Sequence, residues 1–266
     1  LKSVKNIQKI TKSMKMVAAA KYAKAERDLK GARAYGLGAK AFYDNIDPAV
    51  EEGKETPLGK KQLLVLMTSD KGLCGAVHTT IAKEAKNIIN NRGDREVKVV
   101  CVGDKSRAVL QRGFGEHILA VGGDIGRTPP TFEDACIVAQ AVLDSGYDFD
   151  NGTILYNYFR TVVSYKTLKM NILPLEGIKQ KEALATYDSV DDDVLQSYVE
   201  YSLAQLIYYA MKESATSEQS SRMTAMDGAS KNAGEMIGKL TLAFNRTRQA
   251  VITRELIEII SGAACV

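Results

Sequence analysis

No proline follows Pro174, and none precedes Pro48. Those two absences leave the first 46 residues and the last 90 free to form uninterrupted helices, because proline is the residue that most reliably breaks one. Histidine is almost as scarce: His78 and His117 stand alone, so neither a zinc cluster nor a Ser-His-Asp or Cys-His relay has the residues it needs. The four cysteines, Cys74, Cys101, Cys136 and Cys265, fall in no CxxC spacing and read as reduced thiols in a non-oxidising compartment. The longest uncharged run, from Tyr201 to Met211, is far short of the roughly 20 apolar residues of a membrane span, so the chain is not expected to cross a bilayer. It opens on Leu1, which points to processing or trimming ahead of that residue, with any targeting peptide out of view.

Nucleotide loops are missing as well. Ser69-Asp70-Lys71-Gly72-Leu73-Cys74-Gly75 stands where a doubly wound fold would place a phosphate loop, yet it holds two glycines and no GxGxxG. Gly234 to Leu240 is one residue short of a Walker loop, ends in leucine and lies inside a helical pattern. The turn therefore reads as a strand-to-helix connection. Glu255 and Glu258 are near neighbours on a helix, a spacing far more usual for a solvated face than for an acid/base couple. Catalytic residues, cofactor ligands and metal ligands are all expected to be absent.

What is present is periodicity. In 217–266, Met226, Ala229, Ala233, Met236, Ile237, Leu240, Ala243, Phe244, Ala250, Val251, Ile257 and Ile260 recur at helical steps. One helix from about Val194 to Gly262 would run roughly 100 Å and needs a partner for its apolar stripe. Gly228, Gly234 and Gly238 each cost a helix about 1 kcal/mol, which argues for close packing there. At the tip, Ile257, Ile259 and Ile260 cannot share one stripe, so that end should sit in an apolar sleeve.

The N-terminal stretch repeats Val4, Thr11, Ala18, Ala25, Ala32, Ala39 and Ile46 every seven residues, with Ile7, Met14, Tyr35 and Phe42 three positions after several of them. Lys21 and Asp28 interrupt this second column. Asp47-Pro48 should end the helix, and the stretch from Glu51 to Lys61 should be an exposed linker. Residues 1–40 hold eleven Lys or Arg against Glu26 and Asp28, a balance of +9 in a chain of net +4. Cationic helices bind nucleic acid, but no aromatic precedes Tyr22, no arginine precedes Arg27 and no recognition pattern is present, so the helix reads as a solvated or protein-facing basic surface, which acidic protein partners would suit equally well.

Between the helices the period changes. The continuously apolar Leu63 to Met67 is a strand buried on both faces, followed by a helix to about Asn90, strand Val97 to Val102, helix Ser106 to Arg112, strand His117 to Val121, helix Thr131 to Ser145, strand Thr153 to Phe159 and a further strand at Tyr165 to Leu173. That alternation predicts an α/β module with a mostly parallel, Rossmann-like sheet. Asp188, Asp191, Asp192 and Asp193 lie at the positive end of the last helix. The expected architecture is α/β: a long antiparallel two-helix coiled coil of the terminal helices, with the module inserted at one end. Its parts are a shaft helix and linker at 1–61, a foot at 62–190 and a second shaft helix at 191–266.

The residues then match a known family over the whole chain, in order. Ile252-Thr253-Arg254-Glu255-Leu256-Ile257-Glu258-Ile259-Ile260-Ser261-Gly262-Ala263-Ala264 resembles the C-terminal signature of the gamma subunit of F-type ATP synthases. So do Ser221 to Met226 with Ala229 and Asn232-Ala233-Gly234, Asn245 to Ala250, Ile10 to Lys21, and Thr68 to Gly75. Ser230-Lys231-Asn232-Ala233-Gly234-Glu235-Met236 and Asn245 to Thr253 are closer to mitochondrial members, while Cys265 stands where the family usually has a small or basic residue.

The resemblance implies a rotating central stalk, not itself catalytic, in the matrix-side part of a complex at the mitochondrial inner membrane. Its partners would be three alpha and three beta subunits, the smaller delta and epsilon stalk subunits and the c-ring, with no nucleic acid. Carried over by motif, Met14, Lys15, Arg222, Arg248, Gln249, Thr253 and Glu255 would contact the alpha and beta subunits. Ile257, Ile259 and Ile260 would form the bearing tip.

Overall fold

A computed structural model describes residues 1–46, 59–187 and 190–264. The expected break at Asp47-Pro48, most of the linker, Asp188 and Cys265 lie outside the described residues. Helix α1 runs Lys2–Ile46 and helix α6 Asp192–Ala264, 45 and 73 residues or about 68 and 110 Å. Asp192 and Asp193 occupy the first turn of α6, where carboxylates meet the positive end of the helix dipole. Between them come β1 (Lys61–Met67), α2 (Val77–Asn90), β2 (Glu96–Val102), α3 (Asp104–Phe114), β3 (Ile118–Gly122), α4 (Phe132–Leu143), β4 (Asn151–Thr161), β5 (Ser164–Ile172) and the short α5 (Leu175–Lys179). Among the described residues, α5 and the single-turn helices at Gly115–His117 and Glu182–Thr186 have no counterpart in the periodicity of the sequence. They are too short to show a period.

The terminal helices are antiparallel. Tyr43 meets Ser202, Arg33 meets Glu213, Lys15 meets Asp227 and Gly234 lies against Gln8, so position rises on one helix as it falls on the other. On α1 the first expected column is buried at Thr11, Ala18, Ala32, Ala39 and Ile46. The second column differs from expectation. Tyr22, Leu29, Gly36 and Tyr43, four positions on rather than three, are the buried set, and Ile7 is 52% exposed. A step of three and a step of four lie on opposite flanks of the first column. The flank is chosen by the sheet: Tyr22 and Leu29 pack with Phe159 of β4 as well as facing α6. Lys21 and Asp28 therefore interrupt nothing.

Gly36 is there because a Cβ would overlap the Tyr209 ring. The packing reason expected for three α6 glycines holds for Gly234 alone, where a Cβ would come 3.0 Å from the Gln8 amide. Gly228 and Gly238 have no other group within 4 Å of such a Cβ among the described residues.

The sheet has strand order β3-β2-β1-β4-β5, with β1 to β4 parallel and β5 antiparallel to β4. Leu64 and Leu66 point to one face, toward Ile81, Ile89 and Leu110 of α2 and α3. Leu63, Val65 and Met67 point to the other, toward Val138 of α4 and Leu206 and Ile207 of α6. Burial on both faces is why β1 is apolar throughout rather than alternating. The module lies beside the rod, along α6 from Leu195 to Thr224.

Candidate functional site

The joint between module and rod is polar. β1 pairs with β4 only as far as Leu66 and Leu155, whereas β4 continues to Thr161, so beyond Leu155 one edge of β4 has no neighbouring strand. Helical side chains take its place. Ser214 Oγ accepts from Asn157 N (3.2 Å) and Ser217 Oγ donates to Asn157 O (2.9 Å). Glu213 accepts from Phe159 N (2.9 Å), and Arg33 donates to Phe159 O (2.6 Å). Ser220 donates to Val162 O. This substitution satisfies backbone groups that would otherwise be buried and unpaired. It also explains the run Ser214-Ala215-Thr216-Ser217-Glu218-Gln219-Ser220-Ser221, composed largely of residues that helix interiors disfavour. That anomaly in propensity is the signal in the sequence that marks the joint.

The turn at 68–75 is joined to the same helix. Arg222, buried, donates to Gly72 O at 3.2 Å and pairs with Glu218; Ser221 donates to Cys74 O at 2.7 Å. Leu73 adopts φ +62° and Gly75 φ +65°, turning those carbonyls toward the shaft. Asp70 accepts from Asp104 N, capping α3. His78 Nε2 lies 3.1 Å from Lys71 O and 3.2 Å from Ser69 Oγ; burial lowers its pKa, opposed by Glu218. His117 Nδ1 lies 2.8 Å from Val97 O. Cys74 is pushed up to about 11, first by burial and then by Glu218, which suits an unreactive thiol.

Beyond its pairing with α1, α6 stands alone among the described residues. Its last buried residue is Ala233, and every residue from Gly238 to Ala264 is exposed, about 40 Å of single helix. Leu242 (74%), Phe244 (60%), Ile259 (67%) and Ile260 (67%) are among the most exposed apolar residues of the chain. Arg248 and Glu255 share a helical face with Ile252 and Ile259, while Gln249 and Thr253 share the adjacent one with Leu256 and Ile260. Thr253 Oγ1 is turned back onto Gln249 O at 2.9 Å.

The residues singled out from sequence thus fall into two groups. Arg248, Gln249, Thr253, Glu255, Ile257, Ile259 and Ile260 are exposed together on the free helix. Met14 and Lys15 are half-buried lower down, with Lys15 paired to Asp227 at 2.7 Å, and Arg222 is enclosed in the joint. Lys15 and Lys231 hold the Asp227 carboxylate below its usual range through hydrogen bonds.

A family model described as ATP synthase matches residues 1–266. The mitochondrial ATP synthase gamma subunit of Drosophila melanogaster is 60% identical over 264 residues, spanning 99% of this chain and 87% of that protein. The mitochondrial F(1) complex gamma subunit of Rattus norvegicus is 55% identical over 266 residues, 99% of this chain and 96% of that one. Among solved structures, the central stalk/c-ring of the Tetrahymena thermophila mitochondrial ATP synthase contains a chain similar over 83% of this one and 99% of its own, with 31% identity and TM-score 0.69. A chain of the Euglena gracilis OSCP/F1/c-ring assembly shares the fold at TM-score 0.78 and 19% identity, over 99% of this chain and 91% of its own. By the family model and by identity across nearly its whole length, this chain belongs to the gamma subunit family of ATP synthases.

Proposed function

We propose that residues 238–264 are the part of the shaft held inside the ring of three alpha and three beta subunits, and that Arg248, Gln249, Thr253 and Glu255 contact those subunits. The chain is the non-catalytic central rotor of a mitochondrial ATP synthase, working on the matrix side of the inner membrane with catalysis in beta. It couples rotation of the c-ring to conformational change in the catalytic subunits. One shaft cannot present the same face to three beta subunits at once, so each is biased toward a different nucleotide affinity, and turning the shaft moves the bias around the ring. Residues 1–61 supply a shaft helix and linker, 191–266 the second shaft helix and 62–190 the foot, which rests on the c-ring with the smaller stalk subunits.

The observation that supports this reading is the 27-residue free helix from Gly238 to Ala264, exposed on all sides. A single helix with isoleucine around its circumference is unstable in water unless enclosed. Its tip offers Ile257, Ile259 and Ile260 to an apolar bearing that makes no directional bonds. Lower down, the Arg248 fork and the Gln249 amide can make hydrogen bonds that break and re-form as the shaft turns. Met14 and Lys15 contact partners from the flank of the rod, whereas Arg222 acts from within by fixing the 68–75 turn to α6. Replacing Arg248 and Gln249 by alanine should lower ATP hydrolysis of the reconstituted complex severalfold and leave the melting temperature of the isolated chain unchanged. Normal turnover with a lowered melting temperature would contradict the assignment.

A further inference from the structure

Between foot and shaft, outside the carboxyl end of β1, lies a cavity of about 320 Å³. Ligands of open parallel sheets bind in the crevice beyond the carboxyl ends of the strands, and volumes above about 300 Å³ are those of small-molecule sites. The walls come from both parts of the molecule. Met67 and Ile125 belong to the foot, Met211 and Ala215 to α6, and Pro129 and Pro130 close one side ahead of α4. These are apolar side chains. They leave a space with room for roughly ten water-sized groups.

The charge on the walls has one sign in excess. Lys21, Lys24, Arg127 and Lys212 line the cavity against Asp28 and Glu218. Both carboxylates are already engaged, Asp28 with Lys212 at 3.5 Å and Glu218 with Arg222. Lys21 and Lys24, one turn apart on α1, have no carboxylate within 4.0 Å among the described residues. An apolar chamber bordered by two uncompensated ammonium groups calls for a ligand with an apolar body and a single anionic head.

We propose that this cavity binds a small organic monocarboxylate, its aliphatic or aromatic body between Met67, Ile125 and Met211 and its carboxylate on Lys21 and Lys24. A phosphate head fits less well, because phosphate sites are built from backbone N–H groups. The neighbouring turn instead directs the carbonyls of Lys71, Gly72 and Cys74 at side chains. A ligand held here touches α1, α6 and the foot at once, so it stiffens the joint through which torque passes from foot to shaft.

Titration of the purified full-length chain with octanoate, followed by calorimetry, tests the site. Saturable binding of one equivalent is expected, with octan-1-ol at least about tenfold weaker. The double variant Lys21→Gln/Lys24→Gln should weaken octanoate by about tenfold or more and leave octanol as it was. Ala215→Phe, which fills the chamber, should remove binding of both. The two lysines are exposed, so their replacement keeps the test valid even where Ala215→Phe fails to fold. The absence of saturable octanoate binding, or equal binding by the wild-type chain and the lysine variant, would overturn the proposal. Hexyl phosphate binding as tightly as octanoate would overturn the choice of head group.

Discussion

Glu213 shows how a single side chain ties the two halves together. It is fully buried, accepts from Arg33 at 2.6 and 3.1 Å and from Phe159 N at 2.9 Å, and its hydrogen bond raises the Arg33 pKa. Glu213→Ala leaves a guanidinium and a backbone N–H without their acceptor and should cost about 2–4 kcal/mol in urea denaturation, discounted because a third of Arg33 meets solvent. A loss below about 0.5 kcal/mol would mean water replaces the carboxylate. His78 provides a pH signature. Burial lowers its folded pKa, so the unfolded chain, with an ordinary value near about 6.5, binds the proton more readily. Its contribution is complete above that unfolded value and is lost as pH falls through it toward the folded value. The melting temperature should drop between pH 7 and pH 5.5, and His78→Gln should flatten that slope. Both histidines could be read in the sequence as isolated, but not that each would rest against a backbone carbonyl, since that depends on turns formed by distant strands.

At the scale of elements, the helices and strands were legible because their periods differ and because Pro48, Pro129, Pro130 and Pro174 punctuate them. The column of Thr11, Ala18, Ala32 and Ala39 was legible too. Its companion was not, because residues three and four steps away are equally eligible until the hairpin of β4 and β5 takes one flank. The glycines of α1 separate the same way. Gly36 fits against Tyr209, whereas a Cβ on Gly31 or Gly38 would have no other group within 4 Å among the described residues. Gly36→Ala should destabilise the chain by about 1–3 kcal/mol through overpacking. Gly38→Ala should stabilise it by about 0.5–1 kcal/mol through helix propensity. Equal effects in thermal melts would show that the seam is looser than the Tyr209 contact implies. The overhanging edge of β4 arises from the difference in length between β1 and β4, and its local trace is the Ser- and Thr-rich run at 214–221 of α6.

For the whole molecule, the division of labour follows from where burial stops. Up to Ala233, α6 is a structural element packed on α1 and the sheet; from Gly238 it makes no fold-stabilising burial among the described residues, although it carries seven of the ten residues singled out from sequence as partner contacts or bearing tip. The apolar tip was legible from sequence as surface needing a sleeve, and the structure shows that nothing else in the described chain covers it. Removing residues 238–266 separates folding from assembly. The isolated truncated chain should melt at the temperature of the full-length chain, and when mixed with alpha and beta subunits it should fail to form the seven-chain complex and to support ATP hydrolysis. A truncated chain that still assembles one copy among six partners with full turnover would contradict the account, because the free helix would then not be the shaft.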